Sequence, residues 1–172
     1  RAGYKVITVE PMTRNRMAIN GSLCLNPELR KQITLVKAAL VSPEEVGNRH
    51  CVIRSTNYQI NMGNGQLKCG TAAELAPCDP GDSNCEEVPV RTLDSLLEEL
   101  KLPQIDVVKM DIELYECNAL KGGLSLFKRY RPKYVQIETQ YADAAICVEN
   151  VAREFRYRTF VKGADTLMVA DA

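Results

Sequence analysis

Three apolar runs of this chain end in a carboxylate: YKVITVE at Glu10, IDVVKMD at Asp111 and KYVQIE at Glu138. Two more acids, Glu113 and Glu116, follow Asp111 closely. Asp111 and Glu113 share a face if the strand runs on. Glu113 and Glu116 are i, i+3 neighbours if a helix begins there, so the three acids are crowded either way. Crowded carboxylates raise one another's pKa. One of them then becomes a usable general base for a hydroxyl, and their charge favours a cation nearby. The plainer reading is a helix N-terminus decorated with acids, which the backbone dipole favours. Tyr115 and Tyr141 flank the acids in sequence and are candidates for shaping an acceptor pocket or simply for packing.

Sulfur and imidazole are the other groups with chemistry to offer. Cysteines stand at 24, 51, 69, 78, 85, 117 and 147, and His50 is the lone histidine. A zinc site needs four close Cys or His ligands, and no CxxC pair exists here, so no zinc site and no required metal are expected, a divalent cation on the acidic rim being the alternative. Cys69, Cys78 and Cys85 share one polar stretch with little core of its own. A disulfide inside it would staple it; free thiols in a reducing compartment are the alternative, and cytoplasm and secretory lumen stay open together. Cys24, Cys117 and Cys147 sit among apolar neighbours and read as small core residues. His50, just before a strand, reads as a surface residue rather than a base.

These groups must be held by elements that the apolar spacing predicts. Residues 4–10 read as a buried strand stopped by Pro11, with Thr13 as the cap of a helix that ends near Asn26-Pro27. Residues 33–41 read as a second buried strand. Runs 51–60 and 66–69 flank the turn cluster 61–65 and read as a hairpin, followed by a Cys-bearing loop over 70–86 and an extended piece over 87–91. Leu93, Leu96, Leu97 and Leu100 recur at i, i+3, i+4, i+7, an amphipathic helix. Residues 105–111 form a third strand, 113–121 a helix closed by Gly122-Gly123, and a further helix runs to about Tyr130. Residues 133–138 form a fourth strand, 143–155 a helix with Ile146, Val151 and Phe155 inward, and YRTFVKG and DTLMVADA two antiparallel strands at a sheet edge. Apolar strands alternating with helices imply an α/β chain with a mainly parallel sheet. Ligands of such sheets bind outside the carboxyl ends of the strands, where Glu10, Asp111 and Glu138 would share a rim.

Lys plus Arg equals Asp plus Glu at 22 each, so the basic excess of a nucleic-acid binder is absent. No apolar run approaches the 18 residues of a membrane span. A chain of 172 residues fits one domain, with an insert at about 51–87. Its oligomeric state is left open.

The blocks YKVITVEP, TLVKAALVS, VRTLDSLL, DVVKMDIELYE, ALKGG and PKYVQIE resemble, in order and spacing, the FkbM-type S-adenosylmethionine-dependent methyltransferases. The resemblance runs from Tyr4 to about Met168. It implies a seven-stranded Rossmann-like sheet, mostly parallel with an antiparallel last strand. The implied activity is methyl transfer, an O-methylation of a hydroxyl on a small molecule or glycan, with S-adenosylmethionine as cofactor. Glu10, with Pro11 beside it, would accept hydrogen bonds from the cofactor ribose; Ala39, Leu40 and Ser42 would border the adenine. Asp111, Glu113 and Glu116 would face the reacting centre, Asp111 touching the cofactor as well.

Two positions depart from the family pattern. Leu114 stands where the family usually has Gly. The strand and Gly-rich turn that wrap the cofactor's methionine end are not found ahead of Tyr4. These residues are therefore expected to be an N-terminally truncated piece of a longer chain. Without the central strand between those ending at Glu10 and Asp111, the piece alone is expected to be unstable, rearranged or poor at binding cofactor. Other readings are a non-catalytic methyltransferase-like binding module or inactive fragment, and a different doubly wound enzyme using a nucleotide sugar or NAD.

Overall fold

The computed structural model describes residues 3–47, 49–55, 61 and 63–171. The chain divides into two compact units, residues 1–39 with 47–90 and residues 40–46 with 91–172.

In the first unit, β1 (Val6–Val9) and β2 (Ile33–Val36) pair in parallel, Val6 opposite Ile33 through Val9 opposite Val36. Two helices connect them, α1 (Thr13–Leu25) and α2 (Pro27–Arg30). Pro27 starts α2, where its missing N–H costs nothing. The expected strand over 33–41 is two strands. Beyond β2 the backbone changes partner, Ala39 N–H donates to the Pro89 carbonyl at 2.8 Å, and β3 (Ala39–Leu40) pairs with β7 (Val90–Arg91). Between these lie β4 (His50–Ser55), β5 (Gly65–Gly70) and β6 (Cys85–Glu87), an antiparallel sheet with β4 in the middle. The hairpin is therefore present; residues 56–60 and 62 of the expected strand and turn lie outside the described residues.

Both disulfides belong to this unit. Cys78–Cys85 lies inside the polar stretch, as one of the two sequence readings had it. Cys51–Cys69 is an addition, made possible because the β4–β5 register sets these residues directly opposite with Cα atoms 4.2 Å apart. That is the closely spaced type of antiparallel pair, and spacing along the chain does not reveal it. Cys24 is exposed and Cys117 half-buried and outside the core, while Cys147, also half-buried, packs against the core of the second unit.

In the second unit, α3 (Leu93–Leu100) leads to β8 (Val107–Met110), α4 (Glu116–Lys121), β9 (Tyr134–Glu138), α5 (Ala142–Phe155), β10 (Tyr157–Lys162) and β11 (Asp165–Ala170). The sheet order is β10-β11-β9-β8. β8 and β9 are parallel, while β11 runs antiparallel to both β9 and β10. The expected antiparallel final pair is present, with β10 at the edge. Leu120, Leu126, Phe127, Val135, Ile137, Val148 and Met168 fill the core, where Phe127 stacks on Phe155 at 5.2 Å and meets the edge of Tyr157.

Three sequence expectations need correction here. On α5 the inward stripe is Ala144, Val148 and Ala152, at i, i+4, i+8. Ile146, two residues off that stripe, is 62% exposed, whereas Val151 and Phe155 do pack on the core. The helix expected from 113 begins at Glu116, whereas the one expected up to Tyr130 is present over 124–130, its last five residues, Leu126–Tyr130, wound as a wide turn. The fold is mixed α/β, but the single mostly parallel sheet is not formed among the described residues. Parallel pairing is seen for β1–β2 and β8–β9, while the hairpins bring antiparallel neighbours.

The TLD and LKGG blocks lock together in this unit. Thr92 Oγ1 accepts the Ser95 N–H and caps α3. Asp94 donates its N–H to the Gly122 carbonyl at 2.7 Å and accepts the Ser125 N–H on its carboxylate at 2.8 Å. A Cβ on Gly122 would run into the Val41 carbonyl, and one on Gly123 into the Leu93 side chain. Gly122→Ala is accordingly expected to destabilise the protein by about 1–3 kcal/mol, the usual range for overpacking, because a backbone carbonyl cannot swing aside. Urea titration of the variant checks this. Among the described residues no helix is long and apolar enough to cross a membrane.

Candidate functional site

The acids at the end of β8 are gathered by one turn. Asp111, the first residue past the strand, holds the Lys109 ammonium at 2.7 Å. Both side chains are largely exposed, so the pair contributes at most about 1 kcal/mol. The backbone then enters left-handed space for two residues, Glu113 at φ 53° and Leu114 at φ 79°. The turn is tied by Glu116, whose side chain is buried and whose Oε1 accepts the Ile112 N–H at 3.0 Å. β9 adds a fourth acid. Met110 is paired in parallel with Ile137, so Asp111 and Glu138 come next, side by side.

The electrostatics follow from this crowding. Burial pushes the Glu113 carboxyl above its ordinary value, and the charges of Asp111 and Glu116 add to the rise. Glu138 is raised by burial and by Asp111, Glu113 and Glu116. The Lys109 ammonium is raised by its hydrogen bond to Asp111. The acids are crowded in this turn, and the carboxyls raised by it are those of Glu113 and Glu138.

Leu114 sits where bulky residues are rare. A left-handed residue other than Gly costs on the order of 1–3 kcal/mol, and the Leu114 side chain is 47% exposed, so it returns little by burial. Leu114→Gly is expected to stabilise the protein by about 1 kcal/mol. A thermal melt showing a lower midpoint for the glycine variant would contradict the strained turn.

One residue of this region escaped the sequence reading. Glu45 is 8% exposed and joins two segments. Its Oε2 accepts the Ser42 N–H at 3.1 Å, the Ser42 hydroxyl at 3.0 Å and the Asn118 amide at 2.9 Å, and its Oε1 accepts the Tyr115 hydroxyl at 2.7 Å. The signal was present: Ser42-Pro43-Glu44-Glu45 is a capping box, Ser-x-x-Glu, around the 3₁₀ turn Pro43–Glu45. Ser42 is thereby buried and committed to Glu45. Leu40, half-buried, packs against the core of this unit.

Glu10 belongs to the first unit, one residue past β1, where its N–H donates to the Val36 carbonyl. Its Oε1 accepts the Met12 N–H at 2.8 Å and its Oε2 the Asn15 amide at 3.3 Å. A carboxylate has about four acceptor directions, so about two remain for a ligand. Pro11 is half-buried beside it; Ala39, in the same unit, is buried. Thr13 is not the cap of α1 but its first residue, and Met12, at the cap position, offers no side-chain bond. The capping acceptor is remote: Glu86 of β6 takes both the Thr13 N–H, at 2.7 Å, and the Thr13 hydroxyl. The Cys78–Cys85 staple thus stands next to the residue that holds the start of α1. His50 opens β4 with Nε2 3.7 Å from Glu87, too far for a hydrogen bond, and Tyr141 precedes α5 half exposed.

A family model described as the methyltransferase FkbM domain matches residues 1–160. The structure is similar to that of methyltransferase FkbM from Methylobacillus flagellatus KT, with a TM-score of 0.59 at 15% identity, over 96% of this chain and 36% of that one. At that identity the similarity speaks for the fold, and this chain spans little more than a third of that protein's length. No curated protein matches the sequence at a significant level. With most of its length covered by the family model, the chain belongs to the FkbM methyltransferase family.

Proposed function

We propose that the protein takes part in S-adenosylmethionine-dependent methyl transfer to a hydroxyl of a small molecule or glycan. The observation that carries this reading is Glu113, a half-buried carboxylate with a raised pKa, displayed on a left-handed turn among Asp111, Glu116 and Glu138. Such a group takes a proton from a hydroxyl more readily than an ordinary surface carboxylate. When bound, the cofactor supplies an electrophilic methyl on a cationic sulfur. Glu10, with about two acceptor directions left after Met12 and Asn15, suits vicinal ribose hydroxyls. Glu113 takes the acceptor's proton; Asp111, hydrogen-bonded to Lys109, stands beside it. Glu116, buried against Ile112 N–H, holds the turn in place rather than moving a proton. The displacement is direct, so alignment contributes most of the rate.

Incubating the native protein with methyl-labelled S-adenosylmethionine and a panel of hydroxyl-bearing acceptors tests the reading. Label transfer is the expected result, and its absence across sugars, sugar acids and small alcohols would overturn it. The half-exposed Leu114 at φ 79°, in place of the family's Gly, favours a second reading, a methyltransferase-like binding module. Cofactor binding by equilibrium dialysis with no turnover on any acceptor would select that one.

A further inference from the structure

Cys117 and Cys147 face each other across two packed helices. Cys117 is the second residue of α4, Cys147 lies in the second turn of α5, and the two helices are in contact. The Cys117 Sγ is 3.4 Å from the carbonyl oxygen of Asp143, one turn before Cys147. Side chains on a helix lean toward its N-terminus, so the Cys147 thiol projects toward that same carbonyl. Both residues are half-buried and neither is in a disulfide. We propose that Cys117 and Cys147 form a third disulfide, closed by exchange with a glutathione-class disulfide, which ties the acidic turn 111–116 to α5.

The exchange has a defined order. Burial, first, and the neighbouring Cys147 sulfur push the Cys117 thiol up to about 12, so Cys117 stays protonated at neutral pH and is the resolving partner. Cys147 loses its proton to solvent and attacks one sulfur of the small disulfide; an S–S bond forms and one glutathione leaves as thiolate. Cys117 then gives up its proton and attacks the Cys147 sulfur of the mixed disulfide, and the second glutathione leaves. Two protein thiols are oxidised and one small-molecule disulfide is reduced to two thiols. The sulfurs have only to close from contact to the bond length of about 2.05 Å. The chain already carries Cys51–Cys69 and Cys78–Cys85, bonds that form and persist in oxidising surroundings.

The test counts thiols on the whole chain. The protein is incubated with rising glutathione disulfide, blocked with N-ethylmaleimide and mapped by peptide mass. Labelled cysteines are expected to fall from the three free ones to Cys24 alone, with one peptide pair joined through Cys117 and Cys147. Finding that bond already closed on isolation supports the proposal equally. In Cys117→Ser the glutathione adduct is expected to stay trapped on Cys147. Persistence of three labelled cysteines at every oxidant concentration would overturn the proposal. So would a stable glutathione adduct on the unsubstituted chain, or a bond from either residue to Cys24. None of these outcomes depends on methyl transfer.

Discussion

Glu113→Gln is expected to lower kcat/KM for methyl transfer to a hydroxyl acceptor by about 10²–10⁴-fold, the usual contribution of a positioned general base. The amide keeps the side chain's size and removes its ability to take a proton. Stability is expected to move the other way. For an acid whose folded pKa lies above its unfolded value, the folded state binds more protons in the window between the two. Stability therefore falls as pH rises from the ordinary 4.5 through the raised folded value, and the penalty is in full force above it. Glu113→Gln escapes that penalty, so its melting midpoint at neutral pH should equal or exceed that of the natural protein, and the gap should close below pH 4.5. The gain is small because the carboxyl is only partly buried. The acid limb of the natural protein's pH–rate profile is expected above 4.5 for the same reason. An unchanged rate in the glutamine variant would remove Glu113 from the chemistry. A lost rate together with a collapsed melting midpoint would mean that the side chain serves the turn.

Glu45→Ala carries the largest expected effect on stability. It strips the acceptor from the Ser42 N–H and hydroxyl, the Tyr115 hydroxyl and the Asn118 amide at once. A buried donor left unpaired costs about 1–3 kcal/mol, and the partly buried Tyr115 and Asn118 recover some of this by meeting water. A net loss of about 3 kcal/mol follows, or a fall of roughly 6–12 °C in Tm for a chain of this length. Glu45→Gln should lose about half as much, since its carbonyl still accepts while its amide faces donors. Calorimetry on both variants checks the ranking, and equal losses would mean that the carboxylate's bonds are not what the site supplies.

Local and periodic features of this protein were legible in the chain. The leucine spacing from Leu93 to Leu100 marked α3, the acid-ended runs marked β1, β8 and β9, and the blocks around TLD, KMDIE and LKGG carried the family. These depend on residue period and on neighbours a few positions apart, which the sequence displays directly. What only the tertiary structure decided was partnership. Cys51 meets Cys69 because of strand register, and β2 and β3 separate because the backbone changes its hydrogen-bond partner. Ile146 points outward because the core lies on the face of α5 that carries Val148. Glu45 gathers Ser42, Tyr115 and Asn118 from places some 70 positions apart in the chain. Such pairings are selected by long-range closure and packing, whose energies depend on distance in space and leave no period in the sequence.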